Sequence, residues 1–368
     1  MIKILLYPLS WLYGTVVYIR NRMYDLNLLK STEFDVPVIS IGNITVGGTG
    51  KTPHVEYLVQ LLKDKFEVAT LSRGYKRKTT GYLEIQPGST SEEAGDEPLQ
   101  IKNHFPEITV SVCEKRVEGV EKLLRAENEK LPDVVILDDA FQHRRITPGI
   151  NILLIDYNRP VKEDHLLPLG RLREGVSQMR RANIIVFTKC PDEVTPIMRR
   201  ILQKDVGLLP YQSLFFSTLE YGKLKPVFSA KRLDKTFYTD KTHSILIVTG
   251  IASPKLFHDY MKKFSSHTKI LSFPDHHYYS EADIQQIEQN LESLPGINKI
   301  IVTTEKDSMR LKDKENLPET IKNSLYLLPA KVNFPDAESR EFNKKILNYV
   351  GENKSNRELH NRKNKSKT

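Results

Sequence analysis

A glycine-rich loop at residues 42–53 constrains this chain more than any other feature of its sequence. The loop reads Gly-Asn-Ile-Thr-Val-Gly-Gly-Thr-Gly-Lys-Thr-Pro and follows the short apolar run 36–41. Backbone N–H groups of such a loop can surround phosphate oxygens, and the N-terminus of a following helix adds partial positive charge. We therefore predict a nucleotide phosphate site formed by Gly47, Gly48, Thr49, Gly50, Lys51 and Thr52.

Two side chains of this loop have predicted roles. Lys51 would reach the β- and γ-phosphates of ATP, and the hydroxyl of Thr52 would hold Mg²⁺. The strict motif has glycine five residues before Gly50, where this chain has Thr45. The preceding strand pattern and the helix pattern at 53–63 supply the context that the motif requires, which favours phosphate binding over a simple glycine-rich turn.

Two adjacent acids provide the metal side of the predicted site. The apolar run 134–137 is followed directly by Asp138 and Asp139. Ligands of α/β sheets bind at the carboxyl ends of the strands, and Mg²⁺ prefers carboxylate oxygens. Successive side chains on a strand diverge, so one acid would contact the metal while the other points elsewhere. The sequence leaves open which of the two does so.

Strand and helix patterns alternate along the chain. The candidate strands are 36–41, 66–71, 109–113, 134–137, 151–155, 184–187, 244–248, 269–273, 299–303 and 324–328. Strands separated by helical stretches imply parallel pairing with helices on both faces of the sheet. We predict an α/β fold with a P-loop NTPase-like, mostly parallel sheet, a second smaller α/β domain and an N-terminal interfacial helix.

The length of 368 residues fits two domains and additional terminal segments. The predicted segments are an N-terminal helix at 1–24, a P-loop kinase domain at 25–211, a linker with hairpin character at 212–240, a smaller α/β domain at 241–350 and a basic, disordered tail at 351–368. The two cysteines, Cys113 and Cys190, have no spaced partners, which argues against a disulfide framework or a zinc site.

The net charge of +9 is concentrated at the two ends of the chain. Residues 1–30 carry four basic side chains and one acid, and residues 351–368 carry six basic side chains and two acids. The small remaining charge argues against a nucleic-acid partner and fits an anionic membrane surface. A merely solubilising tail is an equally good interpretation of residues 351–368.

Residues 4–19 carry no charge, but sixteen helical residues are too short for a hydrocarbon core of about 30 Å. Tyr7, Trp11 and Tyr18 would lie on one helical face, followed by Arg20 and Arg22. This arrangement is typical of a helix in the headgroup region. The alternative is a helix docked on the protein's own core.

Taken together, the motifs resemble those of the tetraacyldisaccharide 4′-kinases, the lipid A 4′-kinases of Gram-negative bacteria. The resemblance covers residues 1 to about 310. It rests on the loop at 42–53, Ser-Arg-Gly-Tyr at 72–75, Gly-Asp-Glu-Pro at 95–98, Asp-Asp-Ala-Phe-Gln-His at 138–143, Leu-Leu-Pro at 166–168 and Leu-Arg-Glu at 172–174. Ala140-Phe141 and Gly170-Arg171 depart from the commoner Gly-Leu and Gly-Pro.

The resemblance implies ATP and Mg²⁺ as cofactors, a lipid A disaccharide monophosphate as acceptor and the cytoplasmic face of the inner membrane as location. No obligate protein partner is inferred. Phosphoryl transfer also needs a group that takes the proton of the acceptor hydroxyl. Asp96 is our candidate, because its loop can present it to a substrate, and the resemblance implies the same. Only the resemblance assigns His276, which would tune Asp96, as a further catalytic residue.

Several polar side chains are candidates for binding the acceptor. Arginine contacts phosphate groups in a bidentate manner. The expected set is Arg73, Arg116, Gln142, His143, Arg173 and Glu174. The motif Thr-Glu-Lys-Asp at 304–307 also matches the family, without a derived role.

Two competing functions stay open. A GTPase-type nucleotide switch is suggested by Thr-Lys-Cys-Pro-Asp at 188–192, which is similar to a guanine-reading element but one residue too long. A basic nucleic-acid or membrane-binding module would leave the glycine loop and the paired acids without a purpose. The predicted activity is therefore transfer of the γ-phosphate of ATP to the 4′-hydroxyl of a tetraacyldisaccharide 1-phosphate.

Overall fold

The computed structural model describes residues 2–125, 130–228, 233–234, 236–252, 254–275, 277–314 and 316–365. Side chains are described from residue 6 to residue 354 within these ranges. The helices are α1 Ile2–Asp25, α2 Lys51–Leu62, α3 Ser91–Ala94, α4 Asp96–His104, α5 Arg116–Leu123, α6 Pro196–Val206, α7 Phe237–Asp240, α8 Lys255–Met261, α9 Glu281–Glu292, α10 Glu305–Lys312, α11 Glu319–Ser324 and α12 Asp336–Lys365.

Fifteen strands are found in the described part of the chain. They are β1 Val38–Gly42, β2 Val68–Ser72, β3 Leu83–Glu84, β4 Thr109–Val112, β5 Val134–Leu137, β6 Ile150–Asp156, β7 Ile184–Thr188, β8 Ser213–Phe216, β9 Thr218–Tyr221, β10 Lys225–Pro226, β11 Ser244–Thr249, β12 Thr268–Ser272, β13 Lys299–Thr304, β14 Leu325–Leu328 and β15 Ala330–Asn333. Each of the ten predicted strands overlaps one of them.

The first sheet has the strand order β3-β4-β2-β5-β1-β6-β7-β8. All neighbours pair in parallel except β3 and β4. Central strands such as β1, β5 and β6 are buried along their whole length, as expected for a parallel sheet covered on both faces. We call this sheet with its helices the first unit. The predicted mostly parallel α/β fold is confirmed.

A second, five-stranded sheet has the order β10-β14-β13-β11-β12. It is parallel except for the short edge strand β10. Its apolar clusters include Leu246 and Ile301 on one side and Ile247 and Val302 on the other. We call this sheet with its helices the second unit.

Two predicted boundaries are wrong. The predicted linker 212–240 begins inside the first sheet, because β8 pairs with β7, and β9 pairs with the distant β15 rather than forming a local hairpin. The predicted smaller domain was extended to residue 350, but Phe342, Ile346 and Val350 of α12 pack into the core of the first unit. The pairing of β9 with β15 and the packing of α12 on the first unit join segments that are far apart in sequence. Local hydrophobic periodicity does not reveal such contacts.

The predicted disorder of residues 351–368 is also wrong for 351–365, which continue α12; residues 366–368 lie outside the described ranges. A charged segment with few apolar residues favours disorder when it stands alone. Here it extends a helix that the packed residues 336–350 have already nucleated, and propagation of an existing helix is much less costly than nucleation.

Candidate active site

The glycine loop connects β1 to α2 at the carboxyl edge of the first sheet. Lys51 and Thr52 are the first two residues of α2, and Gly50 is its N-cap. Gly47 and Gly50 have φ angles of 104° and 83°, a left-handed conformation that glycine adopts without steric cost. Glycine at these two positions therefore suits the path of the backbone through the loop.

Thr45, the departure from the strict motif, has a structural explanation. It forms an antiparallel bridge with Leu172. On either side, Val46 N donates to Arg171 O over 2.8 Å, and Arg173 N donates to Ile44 O over 2.7 Å. The first arm of the loop is therefore an extended segment paired with residues 171–173, and an extended position does not require glycine.

The loop is supported from behind by buried polar side chains. Asn43 Nδ2 donates to Thr49 Oγ1 over 2.9 Å, and Thr188 Oγ1 donates to Thr49 O over 2.9 Å. Lys189 Nζ donates to Gly48 O and lies 2.8 Å from Asp156 Oδ2. Burial lowers the pKa of Lys189, which Asp156 partly offsets. The segment 188–192 was the sequence feature that suggested a GTPase. Its first two residues, Thr188 and Lys189, hydrogen-bond to the backbone of the phosphate loop instead.

Asp138 and Asp139 differ in environment. Asp138 is buried, and its Oδ1 has no hydrogen-bond partner among the described residues. Burial, then Glu97 and Asp139, raise the pKa of Asp138 to about 7, against the lowering effect of Lys51 and Arg116. Asp139 has a left-handed φ of 47°, which turns the chain immediately after the first acid.

Asp139 faces the cations of the site. Its carboxylate lies 3.6 Å from Lys51 Nζ and accepts from Arg173 Nη1 over 2.9 and 3.1 Å. Burial raises the pKa of Asp139, but Lys51 and Arg173 outweigh it, so the pKa falls below its usual value. Gln142 joins this group, because its Oε1 accepts from Arg173 Nη1 over 3.3 Å and its Nε2 donates to Asn43 O over 2.8 Å.

A cationic group lies beside the paired acids. Arg116 is 3% exposed, and its Nε and Nη2 have no hydrogen-bond partner among the side chains described. Burial lowers the pKa of Arg116 to about 10, although Asp138 and Asp139 raise it. Burial, then Arg116 and Arg73, lower the pKa of His143 to about 4. The structure therefore brings Arg116 and His143 close to the acids, with Arg73 near those two residues.

Glu174 lies apart from this group. Its side chain is 1% exposed and forms an ion pair with Arg181, whose guanidinium also lies over the Phe141 ring. Burial raises the pKa of Glu174, and Arg181 opposes that shift. Its position is that of a buried support rather than of an exposed contact.

The two predicted catalytic residues outside the loop have different outcomes. Asp96 is the first residue of α4, and its Oδ2 accepts from Arg310 Nε over 2.9 Å. His276 lies outside the described residues. Neither catalytic role is tested by these positions, and both stay predictions.

Sequence reasoning missed four residues near the site. Glu97 influences the pKa of Asp138 and pairs with Lys306 Nζ over 3.1 Å. Arg310 holds Asp96, and Arg159 Nη1 would be 3.1 Å from a Cβ at Gly47. Glu97 and Lys306 stand in motifs that the sequence had singled out, Gly-Asp-Glu-Pro and Thr-Glu-Lys-Asp, which was the available signal. No local sequence motif indicated that Arg310 or Arg159 would lie near the site.

The donor set suits a magnesium nucleotide better than a metal held by protein alone. No cluster of three or more His, Cys, Asp or Glu side chains capable of holding a metal occurs in the described ranges. The site offers two carboxylates and the Thr52 hydroxyl, and one carboxylate oxygen of Asp138 is buried with no hydrogen-bond donor in the described part of the chain. Mg²⁺ typically takes one or two protein carboxylates and completes its shell with phosphate oxygens and water.

Comparison with known proteins identifies relatives along almost the whole chain. The family model for tetraacyldisaccharide-1-P 4′-kinase matches residues 2–350. The tetraacyldisaccharide 4′-kinase of Phocaeicola vulgatus is 47% identical over 352 residues, which are 95% of this chain and 96% of that protein. The protein of the same name from Bacteroides thetaiotaomicron is 47% identical over 366 residues, which are 98% and 96% of the two chains.

A solved structure agrees with these matches. The crystal structure of LpxK from Aquifex aeolicus in complex with ATP superposes with a TM-score of 0.71 at 32% sequence identity. The superposition covers 95% of this chain and 99% of the other.

Proposed function

This chain belongs to the tetraacyldisaccharide 4′-kinase family, and from that premise we propose that it transfers the γ-phosphate of ATP to the 4′-hydroxyl of a tetraacyldisaccharide 1-phosphate in lipid A biosynthesis. The observation that carries the proposal is the convergence of Lys51, Asp139 and Arg173 at the mouth of the glycine loop. A guanine-nucleotide switch gives no reason for Arg173 and Arg116 to gather beside the paired acids.

We propose that Gly47, Gly48, Thr49 and Gly50 bind the ATP phosphates through their backbone, with Lys51 at the β- and γ-phosphates. Thr52 and Asp138 would hold Mg²⁺, with Asp139 beside them paired to Lys51. When bound, Mg²⁺ supplies charge neutralisation at the transferring phosphoryl group. Asp138 is favoured as the metal-side acid because its buried Oδ1 has no hydrogen-bond partner among the residues that the structure describes.

Asp96 would accept the proton of the 4′-hydroxyl. The freed oxygen forms the new bond to the γ-phosphorus while the bond between that phosphorus and the β–γ bridging oxygen breaks, leaving ADP. Lys51 and the cations around it would stabilise the charge that spreads over the phosphoryl oxygens.

We also propose that the second unit closes over the nucleotide and brings His276 to Asp96. The proximity of Ala252 in the second unit to Gly47 and Gly48 supports this. Unaltered kinetics in His276→Ala would remove that residue from the proposal.

The acceptor would lie against Arg73, Arg116, Gln142, His143 and Arg173, whose cationic members suit its phosphate. Because Glu174 is buried with Arg181, we propose that it supports this set from beneath. Helix α1 lies next to these residues, since Tyr13 OH donates to Arg173 O over 2.8 Å and Arg20 Nη2 donates to Gln142 O over 3.1 Å. An acceptor with acyl chains would thus meet α1 directly.

Helix α1 has a reversed polarity: its polar side chains face the protein and its apolar side chains face outwards, the opposite of an ordinary surface helix. This arrangement supports a membrane location. The small and polar side chains of α1 face the protein: Ser10 and Asn21 are buried, and Gly14 lies against Leu166. Its exposed side chains are mainly apolar, including Tyr7, Leu9, Trp11, Leu12, Val16, Tyr18 and Ile19. Within the described residues, no helix has the length and apolarity needed to cross a membrane. We propose that α1 lies in the cytoplasmic interface of the inner membrane.

Mass spectrometry of the reaction tests the activity. Incubation with Mg-ATP and the disaccharide monophosphate should add one phosphate to the acceptor, and GTP should be a poor substitute. Lys51→Ala should lower turnover by about 100-fold or more, while Lys63→Ala, at the other end of α2 and paired with Glu107, should leave it unchanged. Full activity of Lys51→Ala, or no phosphorylated product from folded protein, would contradict the proposal.

A further inference from the structure

Asp96 contacts a guanidinium that comes from the other unit. Arg310 Nε donates to Asp96 Oδ2 over 2.9 Å, and Arg310 Nη2 donates to the same oxygen. Asp96 begins α4 of the first unit, whereas Arg310 lies on α10 of the second unit. Only 14% of the Asp96 side chain and 5% of the Arg310 side chain are exposed. A buried ion pair is favourable only when its remaining polar atoms are also satisfied.

Asp307 provides the second partner and anchors the guanidinium. Its Oδ1 accepts from Arg310 Nη1 over 3.0 Å, and its side chain is fully buried. Its Oδ2 accepts from Gly250 N over 2.9 Å and from the Thr304 hydroxyl over 2.7 Å. Gly250 follows β11 and Thr304 ends β13, so the guanidinium is fixed to the frame of the second sheet.

Arg310 remains charged in this setting. Burial alone would lower its pKa, but Asp96 and Asp307 outweigh burial and raise the pKa above its usual value. Charged neighbours of the pair among the described residues include Glu97, next to Asp96 on α4, and Lys306 on α10, which pairs with Glu97 over 3.1 Å and lies 3.9 Å from Asp275 Oδ1. The Tyr279 hydroxyl lies near Asp307, and burial raises its pKa far above neutrality. Arg310 thus brings a positive charge into direct contact with the Asp96 carboxylate.

We propose that Arg310 is a positioning residue for Asp96, an inference that rests on the proposed role of Asp96 as the base. Two donors on one carboxylate oxygen restrict rotation of the carboxylate, so the other oxygen is presented in one direction. A base held in a single orientation avoids the cost of reorganisation in the transition state. Because the guanidinium belongs to the second unit, the base is oriented only when the two units are in contact.

The kinetics of Arg310→Gln test this role. We expect kcat to fall roughly 10- to 100-fold, as misplacement of a reacting group does, with the KM for ATP unchanged. The acid limb of the pH profile of kcat should move to higher pH, because the lost guanidinium no longer favours the carboxylate form. Arg310→Lys should recover part of kcat and return the acid limb towards that of the unmodified chain.

Two controls separate positioning from general damage to the interface. Tyr278→Phe removes a hydrogen bond of 2.6 Å to Glu92 across the same pair of units, and it should leave kcat and the acid limb unchanged. Adding Arg310→Gln to Asp96→Asn should cause no further loss, because both changes act on one group. A further loss of the same size would show that Arg310 acts without Asp96 and would overturn the proposal.

The outcomes also distinguish this inference from the proposed function. If Asp96→Asn is inactive but Arg310→Gln has the kcat and acid limb of the unmodified chain, the positioning role fails and the proposed function stands. If Asp96→Asn is active, the assignment of the base fails. Should Arg310→Gln not fold, Arg310→Lys decides alone. It keeps a positive charge, but its single nitrogen cannot replace the two nitrogens that contact Asp96 and the third that contacts Asp307, and an unchanged kcat would overturn the proposal.

Discussion

Gly47 combines two constraints that an alanine cannot meet. Its φ of 104° is unfavourable for any residue with a Cβ, and an added Cβ would lie 3.1 Å from Arg159 Nη1. We expect Gly47→Ala to lower the free energy of unfolding of the nucleotide-free protein by about 1–2 kcal/mol. Gly48→Ala is the matched control: its Cβ would have its nearest contact at 3.6 Å, at Ala252, without a left-handed φ. Its stability in urea should equal or slightly exceed that of the unmodified chain. Equal losses in both variants would contradict this account.

Residue positions that depend on local chain geometry were predictable. Lys51 follows a glycine loop at a helix start, and Asp138 directly follows a four-residue apolar strand; both patterns lie within a few residues. The contact between Asp96 and Arg310 joins positions 214 apart, and no local pattern indicates it. The buried position of Glu174 also depends on a partner, Arg181, that sequence alone does not select.

At the scale of one element, α1 offers a direct test of its reversed polarity. Trp11 is 74% exposed on the outward face, and inserting a large side chain into an apolar environment contributes roughly 2 kcal/mol. We expect Trp11→Glu to weaken binding to anionic vesicles by tenfold or more in a sedimentation assay, with an unchanged melting temperature.

Ile297→Glu is the control for that change, because Ile297 is 99% exposed in the second unit, in the turn before β13. It carries the same kind of substitution away from α1 and should leave vesicle binding intact. Equal losses in the two variants would argue against α1 as the membrane-contacting element, and so would no loss in either.

Elements were predicted well where the pattern was long and buried, and poorly where pairing partners were distant. The strands β5 and β7 were found almost to the residue, since their apolar runs are continuous. The first two residues of β8 are only partly buried. Its apolar sequence pattern is therefore weak, and the strand is recognised only from its pairing with β7. Helix α12 follows the strands of the second sheet in sequence, yet it packs on the first sheet. The hydrophobic periodicity of a helix does not indicate which sheet the helix packs against.

At the scale of the whole molecule, α3 and α4 make a series of polar contacts with the second unit, beside the apolar contact of Met309 with the core of the first unit. Ser91, Glu92, Asp96, Glu97 and His104 meet side chains of the second unit. Polar interfaces within a chain permit relative motion more readily than apolar ones. The charge state of these groups should therefore influence how firmly the units associate.

His104 is a member of this interface whose pKa lies well above its ordinary value. Its Nε2 lies 2.6 Å from Glu305 Oε1 of the second unit, and its Nδ1 lies 3.0 Å from Glu56 Oε1 on α2. Hydrogen bonds to Glu305 and then Glu56 raise the pKa of His104 from 6.5 to about 10, against burial. A histidine that donates from both ring nitrogens is the charged form.

The raised pKa sets the direction of the pH effect. Stability gained from protonated His104 is fully present below pH 6.5, the ordinary pKa, and is lost as the pH rises through about 10. The melting temperature of His104→Gln should therefore fall clearly below that of the unmodified chain at pH 6, and the difference should shrink as the pH approaches 10. Tyr278→Phe, in the same interface, should show a constant difference between pH 6 and 9, because hydrogen bonding to Glu92 and burial raise the pKa of Tyr278. A His104→Gln difference that stays constant over this range would show that the histidine bridges the units as a neutral ring.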